Sequence, residues 1–223
     1  MNCVDEIYAV IVSYCSEPDK LAKIFDELLM QVSHIVLVDN GSPLLQKQLE
    51  ASWPADCIHA IWLETNQGIG AAQNYGIEWA LAHGATHVLL MDDDSLPAPN
   101  MVQYLLSALA ADPLAAAAGA CFADPRRCSD RTPFSQVQGM HLRWLSCNES
   151  ERVWPVDQVI ASGCLIPTGI LRKVGLMRSD FFIDWVDTEW CFRATSMGYR
   201  IYGVCAALLQ HNLGDRVLKV FGN

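Results

Sequence analysis

Three adjacent carboxylates, Asp92-Asp93-Asp94, close an apolar run, His87-Val88-Leu89-Leu90-Met91. A Pro-broken loop, Ser95-Leu96-Pro97-Ala98-Pro99, follows them. Acids this close repel one another, and the arrangement is costly unless a cation or a set of donors sits beside it. The apolar run reads as a buried strand of a parallel sheet. In open α/β sheets, ligands bind at the carboxyl ends of strands. The triad therefore marks a candidate divalent-metal site that holds a diphosphate. The competing reading is a solvated acidic corner with no chemistry.

A second acidic cluster is Asp184-Trp185-Val186-Asp187-Thr188-Glu189. Asp184 and Asp187 are three apart and share a face of a helix. Acids at a helix start are favoured by the dipole alone, which is the structural explanation. Phe181, Phe182, Trp185 and Trp190 surround the cluster in sequence. A carboxylate among aromatics can serve as a base, and an aromatic ring can stack on a sugar. His211 follows the last apolar run, where a metal or phosphate role competes with a structural one. Gly68-Ile69-Gly70-Ala71-Ala72-Gln73 begins like a dinucleotide fingerprint. Gln73 stands where the third Gly belongs, and the segment follows the third strand, which argues against NAD. Its glycines still allow close backbone approach at a helix start, for a ligand or for packing alone.

The elements that must position these groups alternate strand and helix. Apolar, β-branched runs predict strands at 7–12, 34–38, 58–63 and 87–91. A helix follows Ser16 as N-cap, with Leu21, Ile24, Leu28 and Val32 in helical spacing. A second helix covers 68–83. Four β-α units without hairpin signals indicate a parallel, doubly wound sheet. Polar residues collect at the carboxyl end of every strand. In the second half, 100–111 reads as a helix, 115–122 and 158–167 as strands, and Thr168 as the cap of a short helix. A helix over 184–197 and a strand over 200–204 follow, and 124–151 reads as loops and short strands.

The chain has 223 residues, 52% of them apolar, which suits one large α/β domain with a sizeable core. A formal net charge of −10 argues against nucleic acid as a partner. The nine cysteines are scattered, odd in number and free of Cys-x-x-Cys pairs. They read as reduced core residues of a cytoplasmic protein rather than a disulfide framework. The acidic N-terminus lacks the basic start of a signal peptide, and no apolar run approaches membrane-spanning length.

Taken in order, the motifs resemble a known family. They are a strand into Ser13-Tyr14; Val38-Asp39-Asn40-Gly41-Ser42; Asn66 through Gly68, Asn74 and Gly76; Asp92-Asp93-Asp94-Ser95; Ser162-Gly163; Asp184 through Asp187, Glu189 and Arg193; and His211 with Gly214. The set is similar to family 2 glycosyltransferases of the GT-A fold, most of all to bacterial dTDP-rhamnosyltransferases, over nearly the whole chain. The resemblance implies one domain over 1–223, with a nucleotide-sugar half (1–98) and an acceptor half (99–223). The central sheet is expected to be Rossmann-like and mostly parallel, flanked by helices, with a smaller mixed C-terminal half. Donor contacts are implied for Ser13, Tyr14, Asp39, Asn66, Gly68, Asn74, Asp92 and Asp93, with Asp39 reading the base. Asp94 and His211 are implied as ligands of Mg2+ or Mn2+ on the diphosphate. Asp187 is implied as general base, and Ser162, Gly163, Asp184, Trp185 and Glu189 as acceptor contacts. The branch usually carries Gln where Asp93 stands, so the donor sugar is less firmly implied.

The activity so implied is inverting transfer of a sugar, L-rhamnose from dTDP-L-rhamnose, to a hydroxyl of a surface polysaccharide or lipid-linked glycan. A UDP-hexose donor and a non-catalytic nucleotide-sugar-binding protein are the alternatives. A nucleotidyltransferase would want basic residues in a Gly-rich loop after the first strand, and Ser13-Tyr14-Cys15-Ser16 has none. Apolar surface in the second half leaves a homodimer contact and a peripheral membrane contact both open.

Overall fold

The computed structural model describes residues 5–42, 45–46, 56–123, 134–139, 141–147 and 152–211, without the side chains of 123, 142 and 211. Four strands, β1 (Ile7–Ser13), β2 (His34–Asp39), β3 (Ile58–Trp62) and β4 (His87–Asp92), run parallel in the order β3-β2-β1-β4. Every residue of β1 is buried, as expected of a strand covered on both faces. Helix α1 (Pro18–Leu29) buries Leu21, Ile24, Phe25 and Leu28. Pro18 starts it, where a missing N–H costs nothing. Glu17, not Ser16, is its N-cap residue, and no side chain caps it. The Ser16 hydroxyl is used elsewhere, as described below.

Helix α2 (Ile69–Ala82) packs across β1 and β2. A methyl group at Gly76 would lie 2.4 Å from Cγ1 of Val10 and 3.1 Å from Cγ2 of Val38. The helix can sit this low on the sheet because position 76 has no side chain.

Beyond β4 the direction changes. The short strand β5 (Ser95–Pro97) forms where a loop was expected from its prolines. It pairs antiparallel at an edge, where a residue without an N–H is tolerated. Helix α3 (Met101–Ala110) leads into β6 (Ala115–Ala123). Then come a hairpin, β7 (Phe134–Gln138) and β8 (His141–Leu145), and β9 (Val153–Val156). Strand β10 (Cys164–Pro167) is shorter than the expected 158–167 and inserts antiparallel between β4 and β6. Thr168 lies inside α4 (Thr168–Val174) and hydrogen-bonds the carbonyl of Thr86 rather than capping the helix. Helix α5 (Val186–Ser196) precedes β11 (Arg200–His211), which runs much further than expected.

The nine-stranded sheet reads β3-β2-β1-β4-β10-β6-β11-β5, with β9 also on β11. Its two apolar clusters, one on each face, contain all the principal helices. A register shift in β11 between Val204 and Leu208 lets the strand follow β6 and then reach β5. One expectation is overturned here: Cys147 and Cys205 are joined in a disulfide. Composition could not show it, because the partners are 58 residues apart and only the hairpin and β11 bring them together. Cys15, Cys57, Cys164 and Cys191 are free, the last two of them buried.

Candidate active site

The parallel order β2-β1-β4 contains a reversal, since β1 is followed in sequence by its neighbour on one side and later by its neighbour on the other. That reversal opens a crevice at the carboxyl ends. Ser13, Asp39 and Asp92 end the three strands and stand nearly level: Ser13 is in register with Asp39, and Val12 with Asp92. The candidate donor residues thus arrive at one edge.

Asp39 is buried, and two donors hold its carboxylate: the Ser13 hydroxyl at 3.0 Å and the Ser42 N–H at 2.7 Å. The Ser42 hydroxyl then accepts the N–H of Cys15, at 2.7 Å. Ser13 is fully buried, and its hydroxyl orients Asp39. Asn66 accepts the Nδ2 of Asn40 at 3.0 Å and the N–H of Gly68 at 2.9 Å. Asn40 in turn accepts the N–H of Gln67. This Asn pair ties the loops after β2 and β3 together. Asn40 and Ser42 were not singled out from sequence, although both lie in the segment that carries Asp39.

The three acids of the triad part company. Asp92 is half-buried, and its N–H donates to the Ser162 hydroxyl at 3.1 Å. Asp94 is exposed and accepts the Ser95 hydroxyl at 3.3 Å. Asp93 turns to the loop after β1, where its Oδ2 accepts the Tyr14 N–H at 3.1 Å and the Ser16 hydroxyl. Burial pushes the Asp93 carboxyl above the usual range, against the lowering effect of those two donors. Asp93 thereby clasps the loop after β1 across the crevice. Its Oδ2 is occupied by the protein itself.

Asp187 lies in the first turn of α5. Its Oδ2 accepts the Ala161 N–H at 3.1 Å, and its Oδ1 accepts the Thr188 N–H at 2.7 Å. Ala161 and Ser162 are consecutive. One holds Asp187 and the other holds the backbone of Asp92, so a two-residue turn ties the candidate base to the acidic strand end. Gly163 continues the turn at φ +78° and donates to the Leu90 carbonyl. Ser162 is fully buried and supports this turn.

Several residues expected at the substrate have partners within the protein. Asp184 lies before α5, not on it, because Trp185 takes a left-handed φ of 69° at the N-cap position. The shared helix face expected for Asp184 and Asp187 does not form. Asp184 and Trp185 are both exposed on the loop that leads to the base. Glu189 pairs with Arg193 through both oxygens, at 3.0 and 2.9 Å. Arg193 also donates to the carbonyls of Val174 and Leu176, closing the end of α4. Asn74 both donates to and accepts from the backbone of Met177, at 2.8 and 2.9 Å. A side chain so engaged fixes α2 to the segment before α5. Gly68, at φ +84°, gives the close approach foreseen, but to the chain itself. A Cβ there would lie 2.6 Å from the Phe182 carbonyl oxygen, and that carbonyl accepts the N–H of Ile69. The first turn of α2 is thereby occupied by protein.

The backbone of His211 pairs with Ser95, next to Asp94, at the far end of β11. Its imidazole lies outside the described residues. Among the described residues no three His, Cys, Asp or Glu side chains converge as a metal centre. What is present, exposed carboxylate oxygen at Asp94 beside Asp92, is the hard donor chemistry that Mg2+ and Mn2+ take.

The family model for glycosyl transferase family 2 matches residues 9–173, a span that includes Asp39, the Asn66–Gly76 segment and the acidic triad. The chain belongs to glycosyl transferase family 2. It is 32% identical over 217 residues to dTDP-rhamnosyl transferase RfbF of Shigella flexneri, covering 97% of this chain and 72% of that protein. It is 35% identical over 203 residues to polyprenol monophosphomannose synthase of Mycolicibacterium smegmatis, covering 85% and 71%. Among solved structures, GalNAc-T7 with UDP, GalNAc and Mn2+ superposes with a TM-score of 0.76 at 13% identity, covering 96% of this chain and 45% of that one. The mannosyltransferase PcManGT from Pyrobaculum calidifontis, with GDP-Man and Mn2+, gives 0.69 at 17% identity, covering 96% and 59%. The chain thus spans about half the length of these solved relatives. The fold is GT-A, and the mainly parallel sheet flanked by helices is the one expected. The protein is a glycosyltransferase of this family. Among the described residues no helix is long and apolar enough to cross a membrane.

Proposed function

We propose that the protein transfers L-rhamnose from dTDP-L-rhamnose to a hydroxyl of a surface polysaccharide or lipid-linked glycan, with inversion at the anomeric carbon. The observation that carries this is the Ala161-Ser162 turn, which ties Asp187 to the strand end that bears Asp92. Residues 1–98 hold the donor and 99–223 the acceptor. Asp39, held by Ser13 and Ser42, reads the nucleotide base. Asp92 faces the nucleotide side. Asp94, with His211, would hold Mg2+ or Mn2+. When bound, such an ion offsets the negative charge that builds on the departing diphosphate.

Asp187 accepts the proton of the acceptor hydroxyl as that oxygen attacks the anomeric carbon. Oδ1 accepts both the N–H and, at 3.4 Å, the hydroxyl of Thr188, whereas Oδ2 accepts the Ala161 N–H and keeps a second lone pair for this purpose. The two backbone bonds fix the carboxylate before substrate arrives, so little reorganisation is left for the reaction. Trp185, exposed two residues before the base, offers a ring face to the acceptor sugar. Asp184 stands beside it. The likeness to a dTDP-rhamnosyl transferase over 97% of the chain supports the donor assigned.

Thermal-shift titration with Mn2+ and four donors tests the donor. dTDP-rhamnose is expected to raise Tm by several degrees, as a ligand far above its Kd does for a chain of this size. UDP-glucose, UDP-galactose and GDP-mannose are expected to do little. GDP-mannose is included because one relative is a phosphomannose synthase. A larger shift with any of the three would replace rhamnose as the donor.

A further inference from the structure

The loop after β1 is held from two sides. On one side, the Ser13 hydroxyl donates to Asp39 at the end of β2, and the Cys15 N–H donates to the Ser42 hydroxyl just beyond it. On the other, the Tyr14 N–H and the Ser16 hydroxyl both donate to Oδ2 of Asp93, directly after β4. Residues 13–16 thus span the crevice from the segment of Asp39 to the acidic triad. Cys15, in the middle, has a left-handed φ of 56°, which a residue with a side chain seldom adopts. The loop therefore owes its shape to its anchors.

Those anchors decide which groups of the loop can meet a ligand. The hydroxyls of Ser13 and Ser16 and the N–H groups of Tyr14 and Cys15 are spent within the protein. The Cys15 side chain is exposed, and the Tyr14 side chain is 54% exposed, adjacent in the chain to the serine that orients Asp39. An aromatic ring offers a face on which any nucleobase can stack. A ring whose backbone is already fixed loses less freedom on binding than one on a loose loop. Asp93 supplies that fixing, because one of its oxygens takes both the backbone of Tyr14 and the hydroxyl two residues further on.

We infer that Asp93 is a positioning residue for the donor's base: it holds the loop after β1 so that the Tyr14 ring stacks on the base that Asp39 reads. This rests on the donor being a nucleotide sugar bound at this crevice. The middle acid of the triad then serves the nucleoside end of the donor through Tyr14, and Asp94 serves the diphosphate end.

Calorimetric binding of dTDP in the presence of Mn2+ tests this. Asp93→Ala is expected to raise the dTDP Kd by about 10-fold, the scale of one lost base stack. The Mn2+ concentration for half-saturation at saturating dTDP should stay within about 2-fold of wild type. Asp93→Asn is expected to bind like wild type, because its amide oxygen can accept both bonds. Tyr14→Ala should lose at least as much as Asp93→Ala, and combining the two should cost less than about 2-fold more, since both remove the same stack. An unchanged dTDP Kd in Asp93→Ala, or losses that multiply in the double variant, would overturn the inference. So would a marked rise in the Mn2+ requirement, which would put Asp93 at the metal. Asp39→Ala measured alongside separates this claim from the reading beneath it. If Asp39→Ala weakens dTDP and Asp93→Ala does not, only the role of Asp93 falls. If wild type binds no dTDP, or Asp39→Ala binds it unchanged, the base reading falls and Asp93 with it. Should Asp93→Ala not fold, Ser16→Ala decides. A raised dTDP Kd that disappears on the Tyr14→Ala background supports the inference, and an unchanged Kd overturns it.

Discussion

Asp93 stands between Asp92 and Asp94 in the chain, yet its carboxylate leaves them for the loop after β1. Burial raises its pKa most, and the charge of Asp94 adds to that. A raised carboxyl disfavours folding where it must ionise, so the penalty grows as pH rises above the ordinary carboxylate range and vanishes below it. Asp93→Asn keeps an acceptor for Tyr14 and Ser16 without the charge. Its Tm is expected to equal or exceed that of wild type at pH 7, with the advantage gone near pH 3. A marked loss of Tm at pH 7 would mean that the charge itself holds the loop. Asp94 differs, because it is exposed. Asp94→Ala is expected to weaken donor binding by at least about 10-fold in Mn2+, and EDTA should then cost nothing more. Donor affinity that ignores both changes would contradict the metal placement. The acid types and spacing told of a site here. They could not tell which carboxylate faces which way, because that depends on a loop 77 residues upstream.

At the scale of elements, α2 carries more than packing. Its face against β1 and β2 depends on Gly76, and at its start Gly68 leaves room for the Phe182 carbonyl, which accepts the Ile69 N–H. Gly76→Ala forces a methyl against the β-branched Val10. Overpacking costs about 1–3 kcal/mol and helix propensity returns up to about 1. The net expectation is a loss of about 1–2 kcal/mol in chemical denaturation, and a gain would show that the sheet can yield. The strands and helices up to Asp92 were legible in sequence, since each is a strongly periodic segment with a local stop signal. The second half was not. β10 is antiparallel, β5 forms through prolines, and β11 extends through a bulge. Such features are decided by strands far apart in sequence. Asn74, Ser162 and Glu189 sit in motifs that pointed to substrate, and their partners turn out to be Met177, Asp92 and Arg193. A motif marks the neighbourhood of a site.

For the whole molecule, β11 closes the second half onto the first. Asp112, after α3, accepts the Tyr202 hydroxyl at 2.7 Å, Arg200 at 2.8 Å and the Leu114 N–H at 2.9 Å. The Tyr202 hydroxyl, then the Leu114 N–H and Arg200, hold its carboxyl down at about 2. A lowered carboxyl lends stability that is complete above its unfolded value and is lost as pH falls through the folded one. Asp112→Asn is therefore expected to melt below wild type at pH 7, with the gap closing between about pH 4 and pH 2. A gap that stays constant with pH would show that charge plays no part. The Ala161-Ser162 turn just before β10 links the acidic strand end to Asp187, while the Phe182 carbonyl and Asn74 tie the segment before α5 to α2. That juxtaposition, rather than any single motif, is the basis for reading a transferase with its base at Asp187. The most direct test compares Asp187→Asn with wild type in two assays, turnover of dTDP-rhamnose with an acceptor glycan and equilibrium binding of the same donor. Donor Kd should stay within about 2-fold while turnover falls by roughly 100- to 10,000-fold, the range for a lost general base. Turnover near that of wild type would contradict the account.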